Sequence, residues 1–358
     1  MPKFKLNFSS KKLPAFGLDV SSGSVKLLQL SRHGADLSVQ AYASVVSPKG
    51  MIINDAIADV KTFNFLLKQS LDKPQFGRLN TRYVVASLPE SKSFVRVIQI
   101  PQMSESEAEN AVPYEAENFI PMPLDQVYLD WQKIGQAGDK MSVLMIATPK
   151  DFVDSYLSVL DKAGLSPVAL EVESQSCLRA ALPNASQETC LLLDMESFRT
   201  SLIMAEQGNL QFTSTIPIAG NSLTESLAKA LGIASAKAEE IKKKVGLNNT
   251  AEYPNIRSNL LPVLNVLIAE IKNILKFHSE HSDKQVERVV LCGGGARLNN
   301  LAEFLAQNLA EAGVIKVETA KPWQNLPKIS APPLDESTSL SFVTAIGLAL
   351  RGVDHEVE

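Results

Sequence analysis

From about residue 14 onward, apolar and polar positions alternate in short blocks that predict strands and turns. Phe16-Gly17-Leu18 and Val25 to Leu30 flank the stretch Asp19-Val20-Ser21-Ser22-Gly23. Apolar, β-branched runs on either side of a Gly/Ser turn predict a β-hairpin. A third strand is expected near Leu37 to Val46, then an amphipathic helix around Asp55 to Leu71 and a buried strand, Tyr83 to Leu88. Hairpins followed by a helix and another strand indicate an α/β class.

The character changes over residues 90–164. Phe94 to Ile100 reads as a strand, and Ser104-x-x-Glu107 is a capping-box start for a helix carrying five glutamates by Glu117. Pro121 and Pro123 end that helix. Strands at Val127 to Ile134 and Ser142 to Ala147 follow, then a helix 151–163 closed by Gly164. These elements make a compact α+β insert. After it the opening pattern returns in CLLLDMESFRTSLIMA, residues 190–205. Asp194 then matches Asp19 and Leu202 matches Leu27, both at an offset of 175 residues. Two lobes built on one plan are expected, with their hairpins facing each other. Helices follow at Ser222 to Leu231, Ala234 to Val245 and Leu260 to His278. A strand from Arg288 to Leu291 breaks into Gly293-Gly294-Gly295 and a helix 298–312. A Pro-rich loop, 327–333, precedes a last helix, Ser339 to Arg351.

Composition narrows the function classes. A chain of 358 residues, 45% hydrophobic and 21% charged, is long enough for two or more globular units. A net charge of −4 leaves no basic footprint for nucleic acid. Cys177, Cys190 and Cys292 stand singly in apolar surroundings, as buried reduced thiols do, and no C-x-x-C pair is present. No apolar run reaches the roughly 20 residues of a membrane span. The stretch MPKFKLNFSSKKLPAF is basic but lacks the apolar segment of a secretory signal. Its four lysines suit either a solvated tail or contact with acidic headgroups. The C-terminal RGVDHEVE is acidic and carries no amphipathic membrane helix.

The first hairpin has the residues of a phosphate loop. Ser21, Ser22, Gly23 and Ser24 let backbone N–H groups approach an anion without obstruction. Asp19 would hold Mg²⁺ through water, because Mg²⁺ keeps most of its hydration shell. Lys26 would place a point charge on a β-phosphate. An ordinary hairpin shares this pattern, as an ordinary strand-helix turn shares Gly293-Gly294-Gly295. Close backbone approach and a helix N-terminus there nevertheless suit an anion. Glu239 and Lys242, three apart on a helix, share a face that could grip a ribose and an adenine edge, or simply be solvated. His33, His278, His281 and His355 show no ligand spacing, and no Ser-His-Asp set assembles.

Together these pieces resemble the actin/Hsp70-like ATPases, which share a ribonuclease H-like fold. Asp19 to Lys26 is similar to their first phosphate loop, and Asp194 stands where the second loop has its metal-facing acid. Val290-Leu291-Cys292-Gly293-Gly294-Gly295-Ala296 resembles the adenosine motif, and Thr344 to Arg351 the closing helix. Within that superfamily GLDVSSGSVKLLQLSR, YEAENFIPMPLDQVYLDWQ and GLALRG look most like the PilM family of type IV pilus assembly, on its branch with FtsA. The resemblance covers about residues 14–353 and implies a bilobed actin-like fold. Lobe 1 (1A) would comprise 14–89, 165–188 and 339–358, with a 1C insert at 90–164 and a basic tail at 1–13. Lobe 2 (2A) would comprise 189–230 and 288–338, with a helical 2B subdomain at 231–287.

The same resemblance implies ATP or ADP with Mg²⁺ in the interlobe cleft, metal-facing Asp19 and Asp194, and a nucleotide site that also includes Gly220 and Arg297. It implies a cytoplasmic location, peripheral at the inner face of the cytoplasmic membrane. Expected partners are the N-terminal segment of PilN, other inner-membrane pilus assembly and motor components, and further copies of the chain, but no nucleic acid. One departure matters. Related second loops carry glycines two and four residues after the acid, where this chain has Glu196 and Phe198. A carboxylate repels phosphates and a phenyl ring obstructs the backbone, although Arg199 offers compensating charge. Nucleotide binding is therefore expected to be weak or unusual, hydrolysis at most slow, and catalytic residues are unassigned. An adaptor regulated by nucleotide is the leading reading. The alternatives are an active ATPase, a sugar kinase using Glu171 or Glu173 as base, and an FtsA-like filament protein.

Overall fold

The computed structural model describes residues 14–34, 36–314, 316–326 and 333–354. The basic tail, most of the loop 327–333, and the C-terminal residues from His355 lie outside the described residues.

The first lobe opens with β1 (Phe16–Val20), β2 (Ser24–His33) and β3 (Asp36–Val46). Two short strands, β4 (Ile52–Ile53) and β5 (Ala56–Ile57), precede α1 (Val60–Asp72). The helix expected from Asp55 thus starts later. Asn54 and Asp55 both have positive φ, 50° and 62°, and form the two-residue turn between β4 and β5 instead. Asp59 caps α1, whose Phe63, Leu67 and Leu71 are buried on one face. β6 (Phe76–Gly77) and β7 (Tyr83–Leu88) follow.

The next segment supplies β8 (Phe94–Pro101), α2 (Glu105–Ala116), β9 (Val127–Ala137), β10 (Lys140–Pro149) and α3 (Lys150–Lys162). Its strands and α2 enclose a separate small core that includes Ile98, Val112 and Met145. α3 instead buries Val153, Tyr156 and Leu160 in the main core. The capping box is formed: Glu107 N–H donates to Ser104 Oγ at 3.3 Å, and Ser104 N–H to Glu107 Oε2 at 2.8 Å. Ser104→Ala is expected to cost about 1 kcal/mol, read as faster amide exchange confined to α2.

β11 (Ser166–Val172) and α4 (Glu173–Ala181) lead into the second lobe. This contains β12 (Thr189–Met195), β13 (Thr200–Glu206), β14 (Asn209–Ile216), α5 (Gly220–Leu231), α6 (Ser235–Val245) and α7 (Ile256–His281). β15 (Arg288–Cys292), α8 (Leu301–Leu309) and β16 (Lys316–Thr319) complete it. The final helix is broken at Ser341-Phe342 into α9 (Glu336–Leu340) and α10 (Val343–Asp354).

The first sheet has the order β11-β7-β1-β2-β3-β6, the second β16-β15-β12-β13-β14-β8-β10-β9. Five strands in each therefore follow the same order, with the same parallel and antiparallel pairings. Leu18 faces Leu27 in one hairpin and Leu193 faces Leu202 in the other, the equivalence read from the sequence. The central strands β1 and β12 are buried along their length, as expected where a sheet is covered on both faces. The strands of the insert extend the second sheet, joined where Phe212 of β14 meets Arg96 of β8.

Candidate functional site between the two sheets

Both hairpins bring an acid to the end of their first strand. Asp19 and Lys26 are register partners across β1 and β2, and Lys26 Nζ lies 3.1 Å from Asp19 Oδ2, both buried. Burial alone would favour a neutral lysine. The negative charge of Asp19, with Glu196 and Asp194 behind it, holds Lys26 above the ordinary lysine range. Lys26 is thus committed to Asp19. In the second hairpin the partner of Asp194 is Ser201, so no lysine stands at the matching place.

The tip of the first loop is a small nest. Ser21 Oγ donates to the Ser24 carbonyl at 3.1 Å, and Ser24 N–H donates to Ser21 Oγ at 3.4 Å. The N–H groups of Ser22 and Gly23 meet no partner among the described residues. Gly23 lies close under Ser197: a Cβ there would lie 2.8 Å from Ser197 Oγ, so that hydroxyl would have to turn aside. The two loop tips are in contact. Gly293, with φ of +79°, lets the turn after β15 pass under the second loop, where a Cβ would lie 2.5 Å from Asp194 Oδ1. Gly295 packs on Met195, while Gly294 is exposed.

The remaining expected residues lie at different depths. Gly220 N–H donates to the Glu196 carbonyl at 2.9 Å, and the Gly220 carbonyl accepts from Lys242 Nζ at 2.7 Å. Lys242 also lies 2.6 Å from Glu239 and 2.8 Å from Thr224 Oγ1. Glu239 and Lys242 therefore fasten α6 to the start of α5. Arg297 is exposed, its Nε donating to Ser337 Oγ at 3.0 Å.

Ion pairs that sequence spacing does not reveal tie the lobes together. The Arg199 guanidinium reaches out of the second loop to both oxygens of Glu173 on α4, each at 2.7 Å, and to Asp55 in the β4–β5 turn. Its compensating charge thus goes mainly to carboxylates of the first lobe. Asp55 also accepts from Ser22 Oγ at 3.4 Å and from Ser91. Glu90 N–H donates to Glu173 at 3.2 Å, and Ser174 N–H donates to Glu90 at 3.1 Å. Burial pushes both carboxyls up, Glu173 well above the usual range. Glu171, the other acid weighed as a kinase base, is held by Arg179 and Arg351. Asp55 reads in the sequence as the start of a helix, and nothing local there marks it as facing Arg199.

Next to these, Glu196 and the exposed Phe198 line a cavity of 760 Å³ that also reaches Ser22, Gly23 and Asp55. Burial, then the charge of Asp194, pushes Glu196 up to about 7 against the opposing pull of Lys26 and Arg199. Burial, then the charge of Asp19, also raises Asp194. Elsewhere, His278 Nε2 lies 2.9 Å from Glu206 and His281 Nδ1 2.8 Å from the Phe277 carbonyl, so they share no ligand site.

The first loop fits a phosphate by its free N–H groups, whereas Asp19 is buried and paired with Lys26 and is covered from a hydrated cation in this arrangement. The second loop fits only with the tips apart, since Ser197 fills the space over Gly23 and Glu196 brings charge of the wrong sign. No helix of the described residues is long and apolar enough to cross a membrane.

A family model described as type IV pilus assembly protein PilM matches residues 17–353. The chain is 22% identical over 343 residues to the cell division protein FtsA of Streptococcus pneumoniae, covering 82% of this chain and 73% of that protein. A solved structure described as the PilM-PilN type IV pilus biogenesis complex superposes with a TM-score of 0.80 at 29% identity, over 96% of this chain and 100% of that one. MreB5 of Spiroplasma citri bound to AMPPNP superposes with a TM-score of 0.58 at 14% identity, over 95% and 96% of the two chains, a likeness of fold alone. The two similar sheets, each with its acid-tipped hairpin, are the lobes of an actin-like fold. With the family model matched along nearly its whole length, the chain belongs to the PilM family of type IV pilus assembly proteins.

Proposed function

We propose that this chain is a cytoplasmic adaptor, peripheral to the inner membrane, which binds the N-terminal cytoplasmic segment of PilN. ATP or ADP with Mg²⁺ between the lobes would act as its conformational regulator. The observation that carries the partner is the likeness, over almost the whole chain, to the solved PilM-PilN complex. Such a segment binds through apolar anchors and backbone hydrogen bonds in a groove. The nucleotide is supported by the actin-like fold, by a relative of that fold solved with AMPPNP, and by the free N–H groups of the first loop.

A bound nucleotide would supply negative charge between the hairpin tips. Ser22 and Gly23 would donate to it, Asp19 and Asp194 would orient the waters of a cation, and Ser197 would have to leave Gly23. Because Arg199 joins the second loop to Glu173 and Asp55, tip separation strains that ion pair and shifts the lobe angle. Affinity for a partner then follows the population of each lobe arrangement. Glu171 and Glu173 are both held by arginines, so regulation is favoured over phosphoryl transfer to a substrate hydroxyl.

A synthetic peptide of the cognate PilN N-terminus should raise the melting temperature by a few degrees at large excess, and a scrambled peptide should not. An unchanged melting curve with the authentic peptide in large excess defeats the adaptor reading.

A further inference from the structure

We propose that Cys177, Cys292 and Asp194 form a site for a thiophilic divalent metal ion of the Zn²⁺ class, which joins the two lobes and withdraws Asp194 from the cleft. The sequence scatters these residues, and the fold assembles them. Asp194 and Cys292 are register partners on the adjacent parallel strands β12 and β15, so their side chains leave the sheet side by side. Cys177 comes from α4, which packs against α10. The two sulfurs and one carboxylate oxygen all lie within 4.8 Å of one another.

The separations suit coordination. Cys177 Sγ is 3.6 Å from Asp194 Oδ2. A tetrahedral ion with bonds of about 2.3 Å to sulfur and about 2.0–2.2 Å to oxygen has an S···O edge of about 3.6 Å. That edge is already at its liganded length. Thr344 Oγ1, 3.2 Å from Cys177 Sγ, places a hydroxyl beside the set, leaving a fourth position to it or to water.

A second observation concerns the carboxylate itself. Asp194 is only 6% exposed, and a carboxylate so buried ordinarily receives N–H or O–H donors. Among the described residues the hydrogen-bond donor its side chain meets is the Cys177 thiol, a weak one, with the Cys292 sulfur also within 4.8 Å. A cation in place of the two thiol protons would satisfy it. Thiolates select soft ions over Mg²⁺, so this site is distinct in chemistry from a hydrated Mg²⁺ beside a nucleotide. Binding exchanges two S–H protons for one divalent ion, with both protons released to solvent and no change in oxidation state.

The site does not depend on PilN binding, and its test reads the metal directly. Metal-free protein, kept reduced with a phosphine, is titrated with Cd²⁺. One equivalent should produce the thiolate-to-cadmium charge-transfer band, release two protons, and raise the melting temperature. The band should disappear in Cys177→Ser and in Cys292→Ser and persist in Cys190→Ser. Absence of the band from the unaltered protein overturns the proposal, as does its survival in both Cys177→Ser and Cys292→Ser. Proton release is measured on the unaltered chain and stands if a variant fails to fold. Binding without release of protons also overturns the site.

Discussion

Arg199→Ala is expected to lower the unfolding free energy by about 3–5 kcal/mol, the cost of removing one partner from a buried ion pair. Arg199 is 8% exposed, and its two terminal nitrogens are committed to Glu173 and Asp55. Without it Glu173 has no cation on its oxygens, and its position among Glu196, Asp19 and Asp194 is repulsive. Protonation of Glu173 limits the loss, because burial already pushes that carboxyl up, so the lower half of the range is favoured. Arg199 belongs to the second lobe and both acids to the first. The substitution should therefore also broaden the distribution of lobe angles, seen as a larger radius of gyration in solution scattering. Arg199→Lys should recover only part of the loss, since an ammonium group cannot span both carboxylates as a planar fork does. Unfolding curves for Arg199→Ala that overlay those of the parent protein would show that this ion pair does not hold the lobes.

The repeat was legible because it is written in local pattern. Two apolar runs, each ending in an acid and a short polar turn, recur at a fixed offset, and register follows from strand period alone. Ser104 and Glu107 gave the start of α2 for the same reason, as both halves of the capping box lie within one turn. Boundaries failed where local signals conflicted. Asp55 resembles a helix N-cap, yet Asn54-Asp55 also suits a two-residue turn with positive φ, and pairing of Ile53 with Ala56 decides for the turn. The extension of the second sheet by β8 was not legible, because Phe212 and Arg96 meet across more than a hundred residues of chain.

The site shows the same division. The places of Asp19 and Asp194 at the ends of their strands follow from position in the hairpin. The fates of their neighbours do not, since a lysine that grips phosphate and a lysine that neutralises a buried aspartate have the same sequence signal. Lys26 lies on Asp19, and Lys242 on Glu239 and the Gly220 carbonyl. Arg199 was read as charge for an anion, whereas Glu173 and Asp55 take it. Only the fold reveals that the cleft contains more buried acids than cations. The three cysteines were read as isolated thiols, and two of them meet across the lobes.

That excess of acid gives Glu196→Gln its expected effect. The carboxyl titrates near 7 in the folded protein against an ordinary value of 4.5. The folded state therefore holds this proton more tightly than the unfolded chain. Its stabilising contribution is complete below about pH 4.5 and is lost as pH rises through 7. At pH 8 the parent protein carries a penalty of about 2–3 kcal/mol, reduced from the full linkage value because Glu196 is only half-buried. Glutamine removes the charge and keeps the shape. Glu196→Gln should be more stable than the parent by about 2 kcal/mol at pH 8, with the difference shrinking toward zero at pH 5. A stability gap that stays constant across that range would place its origin elsewhere than in the Glu196 charge. The same substitution should strengthen Mg·ATP binding at pH 8, because a unit charge ~6 Å from a phosphate costs about 2–3 kcal/mol at an effective dielectric of ~20. Near pH 5, where the parent carboxyl is itself neutral, the two proteins should bind nucleotide alike. Equal affinities at pH 8 would mean that the phosphates do not approach the second loop at all.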